Sequence, residues 1–371
     1  MFMPSLLLYL GALLLSMVSG FIFIPIITRY CLKKHFFDIP DSRKIHKNPI
    51  PRLGGIAFVP SMLQASVLVL FFMNSQSKTG LSFSLWSLFF CISLFIIYFM
   101  GIIDDLIGLR AGKKFIIEIA ATLIMPLSGL YINNLYGLFG IYTIPFWIGA
   151  PITILVMVFI CNAMNLIDGI DGLSATLTMI ALMGFLLAFH SEHLIFYCIL
   201  IASLMGVLIS YLYYNMFGSI EKKQKIFMGD SGSLSLGFIL GFLAVKYSMD
   251  APIIPYSPKR IMWSWTLLAI PCFDVIRVFF YRICHHHSPF HPDKNHIHHK
   301  LMACGMSQHK ALAAIVVLQL GIIAANVLLY DLLTLTIILL LDVAIYLVFI
   351  ILTDWITSRR VSFPAKNSQI A

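Results

Sequence analysis

Two adjacent carboxylates, Asp104 and Asp105, close an apolar run in YFMGIIDDLIGLRAGKK. At the C-terminal end of a helix they meet the negative end of its dipole, so a cation is expected beside them. Lys113 and Lys114 follow in the same loop and are suited to that task or to gripping phosphate. A solvated helix end is the plainer reading. The stretch NAMNLIDGIDGLSA sets Asn162, Asn165, Asp168 and Asp171 at three-residue intervals. On a helix these share a face, while Gly169 and Gly172 instead permit a tight turn that still converges the side chains. Carboxylate and amide oxygens without sulfur are hard ligands, suited to Mg²⁺ or Mn²⁺ far better than to zinc. Capping explains one aspartate here, not the whole set.

In KIFMGDSGSLSLG, Asp230 stands between Gly229 and Ser231-Gly232, a natural helix N-cap. The same place offers free backbone N–H groups to a phosphate and a carboxylate to hold a bridging metal. Eight of the twelve histidines lie between 285 and 309. His285, His286 and His287 read as surface, whereas the alternation of His296, His298 and His299 in a short polar hairpin directs two of them to one site. Protonatable donors to phosphate oxygens are expected there, with a zinc cluster as the alternative, although no Cys–His pair has finger spacing. The loop FFDIPDSRKIHKNPIPRLGGIAF interleaves Arg43, Lys44, His46, Lys47 and Arg52 with Pro40, Pro49 and Pro51. It reads either as a topology determinant or as a stiff positive rim for an anionic substrate or lipid headgroup. Asp274 and Arg277, three apart, are expected to pair, while Glu118 and Asp342 receive no role.

The elements that carry these groups follow from composition. Of 371 residues 60% are hydrophobic and 11% charged, against about 45–50% and about 25% in soluble domains. That surplus must face lipid, which excludes a soluble enzyme, a disordered chain and a disulfide scaffold. The seven cysteines are scattered and never form a CxxC pair. Eleven apolar segments approach the roughly 20 residues of a membrane crossing: 5–27, 53–73, 84–103, 115–132, 146–164, 173–189, 194–214, 231–247, 261–281, 311–330 and 332–353. The first is too long, and lacks the basic leader, for a cleavable signal.

Of the 25 Lys and Arg residues, 21 lie in 28–52, 104–114, 215–230, 277–310 and 356–371. By the positive-inside rule these connections are cytoplasmic, the N-terminus is outside and the C-terminus inside. The net charge of +9 thus reflects topology rather than nucleic-acid binding. The expected fold is all-α: one polytopic helical bundle over 1–371, without inverted repeats or a separate soluble domain. Acidic groups in three inner loops, ringed by basic and His-rich ones, describe a divalent-metal site handling phosphate at the membrane surface.

The order of D-P-R-K-H-P-I-P-R-GG, IIDD, NxxNLIDGIDGL, FMGDSGS and HPDKNHIHH, from about 38 to 305, resembles the polyprenyl-phosphate N-acetylhexosamine-1-phosphate transferases, the family containing WecA and MraY. The resemblance implies ten or eleven membrane helices, a Mg²⁺ requirement, and transfer of a sugar-1-phosphate from a UDP-sugar to undecaprenyl phosphate with release of UMP. It implies that Asp104, Asp105 and Asp168 stand at the reaction centre, with Asp104 orienting or deprotonating the lipid phosphate, and that Asp230 is the principal magnesium ligand beside Asn165. Asp171, Asn215 and Phe227 resemble a uridine pocket, and Lys114, with Arg52 on the basic rim, a phosphate-binding cation. His296, His298 and His299 resemble the histidine loop that contacts diphosphate or sugar. The peptidoglycan branch carries a three-His run followed by acidic and glycine positions, whereas here 285–287 precedes SPF. The chain therefore looks like the branch that initiates surface polysaccharides, with UDP-GlcNAc as default donor and a muramoyl-pentapeptide donor as alternative. A bacterial inner-membrane location is implied, and a homodimer is compatible with it. Direct displacement and a covalent phospho-aspartate remain competing schemes. An intramembrane prenyltransferase lacks its third carboxylate here, and a cation-coupled transporter leaves the FMGD and HIHH loops unexplained.

Overall fold

A chain in lipid must satisfy its backbone hydrogen bonds internally, and apolar runs of this length do so as helices. In a computed structural model, which describes residues 5–38, 48–77, 85–251, 256–288 and 293–362, all eleven apolar segments fall on helices. These are α1 (Ser5–Lys34), α2 (Phe58–Ser77), α3 (Leu85–Ile107), α4 (Ala111–Leu127), α5 (Phe146–Ile167), α6 (Leu173–Ser191), α7 (Ile195–Phe217), α8 (Asp230–Ser248), α9 (Lys259–Leu267) with α10 (Ala269–Cys284), α12 (Gln308–Leu329) and α13 (Leu335–Ser362). A short helix, α11 (Ile297–Ala303), carries the HIHH motif. The protein is a polytopic helical membrane protein.

Among the described residues nine helices, not eleven, are long and apolar enough to cross a membrane by themselves. Two differences account for this. Helix α4 stops at 17 residues, five short of the expected end, where Gly129 turns into the left-handed region at φ 85°. The 261–281 segment is interrupted at Leu268, upstream of Pro271, whose ring nitrogen cannot continue the ladder. Gln319 of α12 repairs that break: its Oε1 accepts from the Ile270 N–H at 3.1 Å and its Nε2 donates to the Thr266 carbonyl at 2.8 Å. A side chain thus restores what the bilayer cannot supply.

Helix α8 is the axis of the bundle. It packs on α3 and α5, and every residue from Ser231 to Ser248 is buried. Its small residues admit close neighbours: a Cβ on Gly101 of α3 would come 2.5 Å from Ser231 Cα. Helices α1 and α7 pair beside it, with α2 against both.

Two small antiparallel ribbons cap opposite ends. Strand β3 (Asn134–Leu138) pairs with β4 (Ile141–Thr143) between α4 and α5. At the other end β1 (Phe37–Asp38) pairs with β2 (Ile50–Pro51), bracketing the basic loop. Pro40, Arg43, Lys44, His46 and Lys47 of that loop lie outside the described residues. Past β2 the chain runs against the FMGD segment: Phe227 N–H donates to the Pro51 carbonyl (2.8 Å), Gly54 N–H to Phe227 (2.9 Å) and Gly55 N–H to Met228 (2.8 Å).

The approach at this ladder leaves no room for a side chain, because a Cβ on Gly55 would collide with the Gly232 backbone. Gly55→Ala is expected to lose about 1–3 kcal/mol of stability, seen as a lower melting temperature in detergent. Gly112→Ala, where nothing lies within 4 Å, is expected to hold or gain up to about 1 kcal/mol from helix propensity.

Candidate active site

The acidic groups converge where α3 ends and α8 begins. Asp105, 3% exposed, accepts the Asp230 N–H on Oδ1 (2.8 Å) and the Ser231 N–H on Oδ2 (2.9 Å). It caps α8 from another helix, and its charge, unfavourable at the α3 C-terminus, meets the positive end of the α8 dipole. These N–H groups, read from sequence as open to phosphate, are therefore occupied by a protein carboxylate. Gly229 makes this possible, since its φ of 76° favours glycine and a Cβ there would stand 2.7 Å from Asp105 Oδ1.

The cation expected beside the two aspartates is Lys114, on the first turn of α4. Its ammonium contacts Asp104 and, at 2.9 Å, Asp230 Oδ2, so two carboxylates from distant segments converge on one positive point. Asp104 also accepts the Leu109 N–H at 2.5 Å. Asn165, in the last turn of α5, donates from Nδ2 to Asp230 Oδ1 (2.6 Å) and Ser233 Oγ (2.8 Å), orienting the Asp230 carboxylate.

The chain leaves α5 through the turn that Gly169 and Gly172 permit. Asp168 caps it, half-buried and, among the described residues, with no cation paired to it. Burial first, then repulsion from Asp230, Asp171 and Asp105, pushes its carboxyl up to about 7. Asp171 is answered by Lys225 at 2.6 Å. Asn215, 2% exposed, receives the Gly172 N–H on Oδ1 (2.7 Å) and donates from Nδ2 to the Ile226 carbonyl (3.0 Å). Its amide bonds backbone on both sides, so it staples the turn to the FMGD segment while lining the cleft. The Nε of Arg52 is buried without a hydrogen-bond partner among the described residues.

The histidine motif docks onto this turn. Asp274 pairs with Arg277 as expected (2.8 Å) and also holds His296 Nδ1 (2.8 Å) and the Ile297 N–H (3.0 Å), capping α11. His298 is 1% exposed, neither ring nitrogen is hydrogen-bonded among the described residues, and it abuts Gly169 so closely that a Cβ there would collide with Nε2. The His298 and His299 rings are 4.1 Å apart. Burial, then the neighbouring histidines, pulls His298 down to about 3; burial, then His296, pulls His299 down to about 4.

A cleft of about 590 Å³ opens over these groups, lined by Arg52, Asp105, Asn165, Asp168, Asp171, Asn215, Phe227, Asp230 and His299. Asp104, Lys114, His296 and His298 stand outside this lining. The cleft also takes Asp38, Asn48, Tyr211, Lys225, Ser233 and Gln308, which sequence reasoning did not single out. Of these, Lys225 follows the Lys222-Lys223 pair before FMGD, a charge run that was legible but unassigned.

The donor set can hold a hard cation. Asp104 and Asp230 already converge on an ammonium, with the Asn165 amide beside them, and all offer oxygen without sulfur. Among the described residues no three His, Cys, Asp or Glu side chains come together as a ligand group, the three histidines included. Oxygen donors of this kind suit a hard cation such as Mg²⁺ or Mn²⁺, which takes one or two carboxylates and leaves its remaining positions to water and phosphate.

Residues 85–248 match the family model described as glycosyl transferase family 4. The chain is 30% identical over 320 residues to a probable undecaprenyl-phosphate N-acetylglucosaminyl 1-phosphate transferase of Bacillus subtilis (strain 168), covering 82% of this chain and 80% of the relative. It is 29% identical over 313 residues to the undecaprenyl-phosphate alpha-N-acetylglucosaminyl 1-phosphate transferase of Yersinia pestis (81% and 80% covered). To the protein of that name in Escherichia coli (strain K12) it is 28% identical over 299 residues (77% and 76%).

Because His298 and His299 are held neutral in the fold, the unfolded chain binds protons that the folded chain refuses below pH about 6.5. Stability is therefore expected to fall as pH drops from about 6.5 toward 4. The double substitution His298→Gln, His299→Gln should flatten that part of the melting-temperature profile, read by thermal denaturation in detergent across pH 4–7.

Proposed function

The chain belongs to glycosyl transferase family 4, the polyprenyl-phosphate N-acetylhexosamine-1-phosphate transferases, and from that premise we propose that it transfers N-acetylglucosamine-1-phosphate from UDP-N-acetylglucosamine to undecaprenyl phosphate, releasing UMP. The observation that carries the reading is the meeting of Asp104 and Asp230 at one cation position, beside a cleft into which five separate connections send polar groups. The product initiates a surface polysaccharide. A cytoplasmic position for the cleft, at a bacterial inner membrane, is supported by the Lys- and Arg-rich connections beside it.

Asp230 and Asp104, with Asn165 at their side, would hold Mg²⁺ or Mn²⁺, which when bound supplies charge neutralisation to the diphosphate oxygens. The lipid phosphate is the nucleophile and the donor's sugar-bearing phosphorus its target. A phosphate monoester has a second pKa of about 6 and is largely ionised at neutral pH. Asp104 therefore positions that oxygen more than it deprotonates it. Lys114, within reach of the same carboxylates, offers its ammonium to phosphate charge. Arg52, whose buried Nε lacks a partner among the described residues, offers a second cation to the donor. Phe227, on the cleft wall, is the aromatic surface for the base, with Asp171 and Lys225 at its polar edge. His299 faces the cleft from the histidine motif and donates to the sugar or diphosphate.

The test is purified protein with undecaprenyl phosphate, Mg²⁺ and a panel of UDP-sugars, read by UMP release. UDP-GlcNAc is expected to give the highest rate, and absence of UMP with every donor would overturn the assignment. Asp104→Asn should lower kcat by about 10²–10³-fold while leaving measurable turnover. Chelation with EDTA should abolish UMP release, and either Mg²⁺ or Mn²⁺ should restore it.

A further inference from the structure

The histidine motif is reached by a helix far along the chain from the acidic turns. Asp274, 0% exposed on α10, receives four donors: Arg277 Nη2 (2.8 Å), His296 Nδ1 (2.8 Å), the Ile297 N–H (3.0 Å) and the Tyr346 hydroxyl (2.9 Å). Tyr346 belongs to α13 and is 1% exposed. It also accepts from Arg277 Nε at 3.2 Å, so it ties the arginine and the carboxylate together. Further contacts dock α11 on α13: Lys300 with Asp354 at 2.5 Å, and Cys304 Sγ with the Thr353 carbonyl at 3.0 Å and the Thr357 hydroxyl at 3.1 Å.

The hydrogen bond of His296 Nδ1 to a carboxylate puts a proton on that nitrogen and fixes the orientation of the ring. The same carboxylate caps α11, so its orientation governs where His298 meets Gly169 and where His299 stands in the cleft wall. An Asp has two rotatable bonds, and in a dry interior its rotamer is set by the donors around it. Of the four, Tyr346 is the one supplied from outside the segment 274–297.

We propose that Tyr346 is a positioning residue for the transfer reaction: through Asp274 it fixes the His296 imidazole and the entry of α11, and so sets His298 and His299 against the Asn165–Asp171 turn. The kinetic side of this rests on the transferase reading above; the structural side does not.

The test compares Tyr346→Phe with Asp342→Asn, a control one turn away on α13. Asp342 is equally buried and hydrogen-bonded, to Trp265 and Asn326, but does not touch Asp274. Each full-length variant in detergent is measured for UMP release and for amide hydrogen exchange of residues 297–304. Tyr346→Phe is expected to lower kcat about tenfold with KM for the UDP-sugar within about twofold, and to speed exchange in α11 about fivefold or more. Asp274→Asn should lower kcat further, about 10²-fold, and adding Tyr346→Phe to it should then change little, because the two act in series. Wild-type kcat and exchange in Tyr346→Phe would overturn the proposal, as would the same losses in Asp342→Asn. If the wild-type protein releases no UMP from any donor, the transferase reading fails by itself, and the exchange comparison still decides whether Tyr346 tethers α11.

Discussion

Like charges gathered at a half-buried surface repel, and the cleft is built around answering them one at a time. Asp105 is met by the backbone amides that open α8, Asp104 and Asp230 share the Lys114 ammonium, and Asp171 has Lys225. Asp168 has no such cation among the described residues, and burial first, then repulsion from Asp230, Asp171 and Asp105, pushes its carboxyl up to about 7. The Asp105 contact also dictates helix direction. A carboxylate at the end of α3 needs a positive partner, and Asp105 finds it in the start of α8, so α3 and α8 meet tail to head. The packing of α4 on α3 and of α5 on α8 then brings Lys114 and Asn165 to Asp230.

Close backbone approach makes these pairings attainable. Gly101 lets α3 and α8 touch where Asp105 reaches across, and Gly54 and Gly55 let the segment after β2 lie against FMGD. The loop glycines thus act through the space they leave open, and the polar contacts are as short as they are because no Cβ intervenes. Asn215 works in the same way from the other side, holding the Gly172 turn to Ile226.

The eleven apolar segments were legible because the bilayer imposes one solution on a long greasy run, and composition alone reveals such runs. The Asp274–Arg277 pair was legible for a local reason, a spacing of three on one helix. What stayed hidden was long-range. Nothing around Asp105 announces that its oxygens will be used by residues 125 and more positions away. The break at Leu268 depends on Gln319 arriving from α12, and Lys225 reads as a solvated charge until the fold sets it on Asp171. Asn215 reads from its motif as a ligand contact, and the fold adds a scaffold task that the motif does not announce, two hydrogen bonds to backbone on either side of it. Residue type and order located the cleft, and only the three-dimensional pairing sorted its walls into scaffold and contact groups.

Helix α8 has no face toward lipid along its length from Ser231 to Ser248. Changes in hydrocarbon thickness act on helices that touch acyl chains, tilting or thinning their surroundings at a modest energetic cost. Such stresses fall on the outer helices, among them α1, α12 and α13, whose apolar side chains are widely exposed. The helix that presents Asp230 is insulated from them, so the geometry of its carboxylate is decoupled from the composition of the surrounding membrane.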